Sequence, residues 1–167
     1  MKKTILMIST VAATLLITSC GPSAKDAMEY SNKIVSIGKE MDATSTMFIN
    51  QIDGHNVDSL KLVYGKYDAQ VTASMEECKN MQPFNKKRDF LDAAIEYFNS
   101  MKSLADNEAK GMVDIMSKDS AQITEQDVAN VKAFAAKYDT DYKTALQKVQ
   151  DAQTTFAKEW KFEIKEN

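Results

Sequence analysis

Apolar and small residues recur along this chain in steps that alternate between four and three. From Ile34 the series runs through Gly38, Met41, Ser45, Phe48 and Ile52, the spacing that lines one face of a helix. Asp53-Gly54-His55-Asn56 interrupts it, with Gly54 suited to the left-handed position just past a helix end. A second series holds Val57, Leu60, Tyr64, Tyr67, Val71, Ser74, Cys78 and Met81 before Pro83 closes it, because proline offers no amide hydrogen and crowds the preceding turn. The third takes Phe90, Ala94, Tyr97, Met101, Leu104, Glu108, Gly111 and Ile115, widened by Leu91, Phe98, Ala105 and Met112. Past a polar stretch from Ser117 to Ile123, Thr124 and Asp127 form a capping-box start. The fourth series then runs Val128, Val131, Ala135, Tyr138, Tyr142, Ala145, Val149, Ala152 and Phe156. At about 40 residues and 1.5 Å each it would reach roughly 60 Å, so its end is expected to overhang its neighbours.

Four long helices joined by short connections pack as antiparallel neighbours. The expected fold is therefore all-α, an up-down-up-down antiparallel four-helix bundle over residues 25–167, left-handed, with small residues letting the backbones approach. Two helical hairpins that complete their cores only as a homodimer are the competing arrangement. Two prolines and five glycines in 167 residues are too few for a turn-rich β-fold.

The beginning of the chain follows another rule. Lys2 and Lys3 precede an apolar run from Ile5 to Ile17, shorter than the about 20 residues that span a bilayer as a helix, which is the layout of a cleaved export signal over residues 1–19. The run stops at Ile17-Thr18-Ser19-Cys20-Gly21, which resembles the lipobox of bacterial lipoproteins. That resemblance implies that Cys20 is alkylated with diacylglycerol, that the signal is cut just before it and that the new terminus is acylated, with palmitate-type chains holding the protein to a membrane through a tether at residues 20–24. Glycine rather than aspartate after the cysteine implies sorting to the outer membrane. The Glu29–Val35 stretch, EYSNKIV, also resembles a group of surface lipoproteins with no assigned activity.

Charge and cysteine usage narrow the picture. The formal charge of −3 becomes more negative once Lys2 and Lys3 leave with the signal, and nucleic-acid binders show a concentrated basic face instead. With Cys20 carrying lipid, Cys78 has no partner within the chain. On the seam of helix two it reads as a small inert hydrophobe, with an intermolecular disulfide as the alternative.

Catalytic and metal chemistry finds little to work with. The single histidine, His55, lies in the turn after helix one, so neither a di-iron site with its Glu-x-x-His pairs nor haem ligation is expected, and the ten methionines read as flexible packing. No metal, no cofactor and no enzymatic activity are expected. Glu108 is the polar residue on an otherwise apolar seam; it marks either a polar core site or a register-fixing residue, or else the drift of about 20° per heptad in a straight helix turns it outward while Ala105 and Met112 take over. Tyr138 and Tyr142 need hydroxyl partners if buried, and with Glu108 they would line any pocket between the helices.

Two surface features complete the list. Lys86, Lys87 and Arg88 open helix three against its dipole, which favours acids there, so contact with anionic lipid headgroups competes with an ordinary solvated cluster. Asp58-Ser59-Leu60 and Asp119-Ser120-Ala121 resemble the acceptor sites for O-glycans in exported proteins of some Gram-negative bacteria, which makes Ser59 and Ser120 candidate acceptors. Together these features point to a lipid-anchored protein of the bacterial envelope. Its leading expected role is that of a non-enzymatic helical module binding an envelope protein or component; the alternative is a small-ligand carrier with a pocket between helices. A dry packed core would favour the first, and a cavity of several hundred Å³ with convergent polar groups the second.

Overall fold

The computed structural model describes residues 21–52 and 56–164. Each helix starts where a short polar side chain satisfies amides that have no partner inside the helix. Ser23 and Asp26 exchange hydrogen bonds across the first turn of α1 (Ala24–Ile52), and the Asn56 side chain accepts the Ser59 amide at 2.9 Å to open α2 (Val57–Lys79). Between α2 and α3 (Asp89–Leu104) the chain turns sharply at Asn85 and Lys86, both left-handed with φ of 48° and 64°, and the Lys87 amide donates to the Phe84 carbonyl at 2.9 Å.

α3 passes without a break through a π-helical turn (Ala105–Ala109) into α4 (Lys110–Met116). A short 3-10 turn (Ser120–Gln122) leads to α5 (Glu125–Trp160), which opens with the expected capping box between Thr124 and Asp127. The Lys118 ammonium, bonded to Asp127 at 2.7 Å, and the Thr124 donors hold that carboxyl down at about 2. α5 ends with Lys161 left-handed and the Phe162 amide reaching back to the Ala157 carbonyl at 3.1 Å, a Schellman-type stop.

The protein is thus all-helical over the described residues, with four helical rods: α1, α2, the α3-to-α4 rod, and α5. Their shared core holds Met41, Phe48, Leu60, Tyr67, Phe98 and Met101, all nearly or fully buried. α1 packs closely along α2, and α3 along both α2 and α5, whereas α1 meets α5 only sparsely. Aromatic rings close one end. Phe84 lies 5.3 Å from Tyr30, 5.6 Å from Phe156 and 4.9 Å from Trp160, centroid to centroid. The end of α5 is therefore clad by aromatic side chains, and the overhang expected there is absent because the turn carrying Phe84 and the start of α1 carrying Tyr30 reach that far.

Three other expectations change. Val128, placed on the fourth seam, is 47% exposed, and Ala135 is exposed as well; Phe134 instead lies against Gly111, where an added Cβ would sit 2.7 Å from its ring. Gly38 does not bring backbones together, since a Cβ there would meet nothing within 4 Å. The cations of Lys86, Lys87 and Arg88 lie in the turn before α3, whose first turn carries Asp89 and Asp92, so they do not oppose its dipole from inside the helix.

Candidate functional site

The sparse contact between α1 and α5 leaves a row of α1 residues facing α5. Gly38, Asp42, Ser45 and Ile49 follow one another by four, three and four residues and so share the face of α1 that looks toward α5. Tyr97 of α3 donates its hydroxyl to Asp42 Oδ1 at 3.2 Å, and Tyr142 of α5 donates to the same oxygen at 3.4 Å. Burial holds the Asp42 carboxyl above the usual carboxylate range, with the two tyrosine hydroxyls opposing the shift. Burial pushes the Tyr97 and Tyr142 hydroxyls up too, so both stay protonated and able to donate.

One turn further along α1, Ser45 Oγ lies 2.9 Å from the Tyr138 hydroxyl, which lies 2.7 Å from that of Tyr67. All three residues are buried. A hydroxyl can donate one hydrogen bond and accept others, so this chain satisfies itself across α1, α5 and α2. Each such bond contributes roughly 1 kcal/mol net, and leaving one buried partner unsatisfied costs about 1–3 kcal/mol.

Beside these rows α1 and α5 part to form a cleft of about 350 Å³, lined by Phe48, Ile52, Met112, Tyr138 and Tyr142 with Asp42 at one end. A second hollow of about 220 Å³ continues past Asp42 and Tyr97 along Gly38, Ile34 and Phe90. The missing side chain at Gly38 borders this hollow and helps keep it open. Ile49, 47% exposed, borders the larger cleft.

Of the three residues expected to line a pocket, the fold brings Tyr138 and Tyr142 together at this cleft and leaves Glu108 outside it. Glu108 does not turn outward as the drift argument expects; it is 6% exposed and pairs with Lys137 Nζ at 3.1 Å. The π-helical turn is the reason. Its wider winding absorbs the angular drift of the seam, so Ala105, Glu108, Ala109 and Met112 all stay turned inward. Asp42 went unread in the sequence because it sits one residue off the Met41 seam. Its only signal was the spacing it shares with Gly38, Ser45 and Ile49.

The remaining candidates stand apart from the cleft. Cys78 is fully buried, and burial lifts its thiol to about 11, far from a reactive thiolate. Lys86, Lys87 and Arg88 are exposed; Lys87 pairs with Glu159, and Arg88 with Asp92 at 2.8 Å. Ser59 lies half-buried in the first turn of α2, and Ser120 is exposed in the 3-10 turn. They share an end of the molecule, where Asn56, Leu60 and Ser120 line one hollow. Cys20, His55 and the expected signal peptide lie outside the described residues. Among the described residues no three His, Cys, Asp or Glu side chains gather to hold a metal, and no helix is long and apolar enough to cross a membrane.

No protein-family model matches the chain, and no match is found among curated proteins or solved structures.

Proposed function

We propose that this chain is a lipid-anchored lipoprotein of the bacterial cell envelope whose helices pack up-down-up-down and antiparallel, and that it carries a small ligand, without catalysis, in the cleft between α1 and α5. The antiparallel reading draws on paired contacts: Ser31 meets Gln153 at 3.0 Å while Ser45, further along α1, meets Tyr138, earlier on α5. The anchor draws on the Cys20 lipobox. A non-catalytic role draws on the burial of the Cys78 thiol, which takes the one cysteine in the helices away from reaction.

The single observation that carries the reading is the cleft at the sparsely contacted seam between α1 and α5, lined largely by apolar side chains. A partner-binding helical module needs no such space. A carrier does, and about 350 Å³ lies within the range of small-molecule sites, with Asp42 and Tyr142 supplying polar groups at its edge.

The test is native purification. Membranes washed in plain buffer should retain the protein, and detergent should release a mature chain that begins at Cys20 and bears acyl mass. Native mass spectrometry should then detect a bound small molecule on the wild type and none on Ala135→Trp, which fills the cleft from α5. An acyl-free chain that washes out of membranes would end the anchoring part. An empty wild-type protein would end the carrier part.

A further inference from the structure

Asp42 stands where the two hollows meet. Both tyrosine hydroxyls engage its Oδ1, which leaves Oδ2 without a hydrogen bond, and among the described residues no ammonium or guanidinium group pairs with the carboxylate. Of the lysines at the margins, Lys143 is bound to Asp139 at 2.7 Å, and Lys39, which borders the second hollow, forms no salt bridge with Asp42.

These features select among ligands. An anion placed in the cleft would face a half-buried carboxylate that no salt bridge neutralises. A wholly apolar ligand would strip water from Oδ2 and give no donor in return, a cost of the same kind as any unsatisfied buried polar group. A cationic donor meets neither penalty. It would also lie beside Tyr97 and Tyr142, the two aromatic residues bonded to Asp42, and aromatic rings attract cations to their faces.

We infer that the cleft takes a small organic cation, an ammonium group on an apolar body, with an N–H donating to Asp42 Oδ2 and the apolar part lying against Phe48, Ile52 and Met112. This rests on the reading of the cleft as a binding site and specifies its ligand. The bound ammonium replaces the water that Oδ2 loses, and the tyrosine hydroxyls hold the carboxylate by Oδ1, leaving Oδ2 for the ligand.

Three probes with one ring system separate the contributions: tryptamine, 3-ethylindole and indole-3-propionate. Binding is followed by calorimetry on the full chain as a bacterial host processes it, held in nanodiscs, with empty nanodiscs as the blank. Tryptamine should bind at least tenfold more tightly than 3-ethylindole, and indole-3-propionate most weakly. Asp42→Asn keeps a carbonyl oxygen for the two tyrosines but removes the charge, so it should weaken tryptamine binding at least tenfold and leave tryptamine no tighter than 3-ethylindole. A cooperative urea transition with the wild-type denaturant slope reports that the variant has folded. Tryptamine no tighter than 3-ethylindole, or a tryptamine affinity that survives Asp42→Asn, overturns the cation inference and leaves a cleft that binds apolar molecules. Failure of all three probes on the wild type overturns the cation inference and the carrier reading together.

Discussion

Asp42 shows at the scale of one residue how a half-buried carboxyl costs stability. Its carboxyl is half-buried and held above its ordinary value of 3.8, chiefly by desolvation, so the folded protein favours the neutral acid more than the unfolded chain does. The stabilisation from that preference is complete below 3.8 and disappears as pH rises through the raised folded value. An asparagine side chain never ionises. Asp42→Asn should therefore gain stability relative to the wild type as pH rises from about 3 toward about 7, and the two urea unfolding midpoints should draw together at the acid end. A gap that stays constant across that range, or one that widens toward acid, would show that the carboxyl is not strained by burial. Glu108 contrasts with it: nearly as enclosed as the core around it, it has the Lys137 ammonium at 3.1 Å, so its charge is met within the fold and nothing is left over for a ligand.

Among the helices, glycine separates positions that hold space open from positions that merely lack a side chain. Gly65 in α2 is exposed, and a Cβ there would meet nothing within 4 Å, whereas at Gly111 in α4 it would meet the Phe134 ring at 2.7 Å. Replacing a helix-interior glycine by alanine contributes up to about 1 kcal/mol through propensity. Gly65→Ala should raise the unfolding free energy by that order, read as a higher urea midpoint at an unchanged denaturant slope. Gly111→Ala should gain less or lose stability, since Phe134 must leave its seat; equal gains in the two variants would mean that Phe134 moves at no cost. Local signals of this kind were legible in the sequence: the Thr124 and Asp127 cap, the stop before Pro83 and the seams of α1 and α2 depend on neighbours within one or two turns. The cleft was not legible, because Asp42 acquires its setting from Tyr97 and Tyr142 on two other helices. The inward turn of Glu108 escaped for a related reason, as one π-helical turn changes the winding on which the seam argument relied.

Over the whole molecule, the first turns of α1, the α2-to-α3 turn and the last turns of α5 come together through Tyr30, Phe84, Phe156 and Trp160. Only Gly21 to Ser23 separate Cys20 from α1, so on the lipid-anchor reading this aromatic end faces the bilayer. In the turn, Lys87 is bound to Glu159 and Arg88 to Asp92. Lys86 projects from a left-handed position and has no ion pair among the described residues. A basic residue near an anionic bilayer contributes about 1 kcal/mol of binding, roughly fivefold, and only when it is free to reach the headgroups. For residues 21–167 without acyl chains, Lys86→Gln should lower retention on vesicles rich in phosphatidylglycerol by about that factor, while Glu159→Gln, which releases Lys87, should raise it. Both effects should fade in high salt and be absent on phosphatidylcholine vesicles. Identical retention of the wild type and both variants on the anionic vesicles would mean that this end of the helices does not touch the lipid surface, and that any anchor at Cys20 holds the protein without help from the turn.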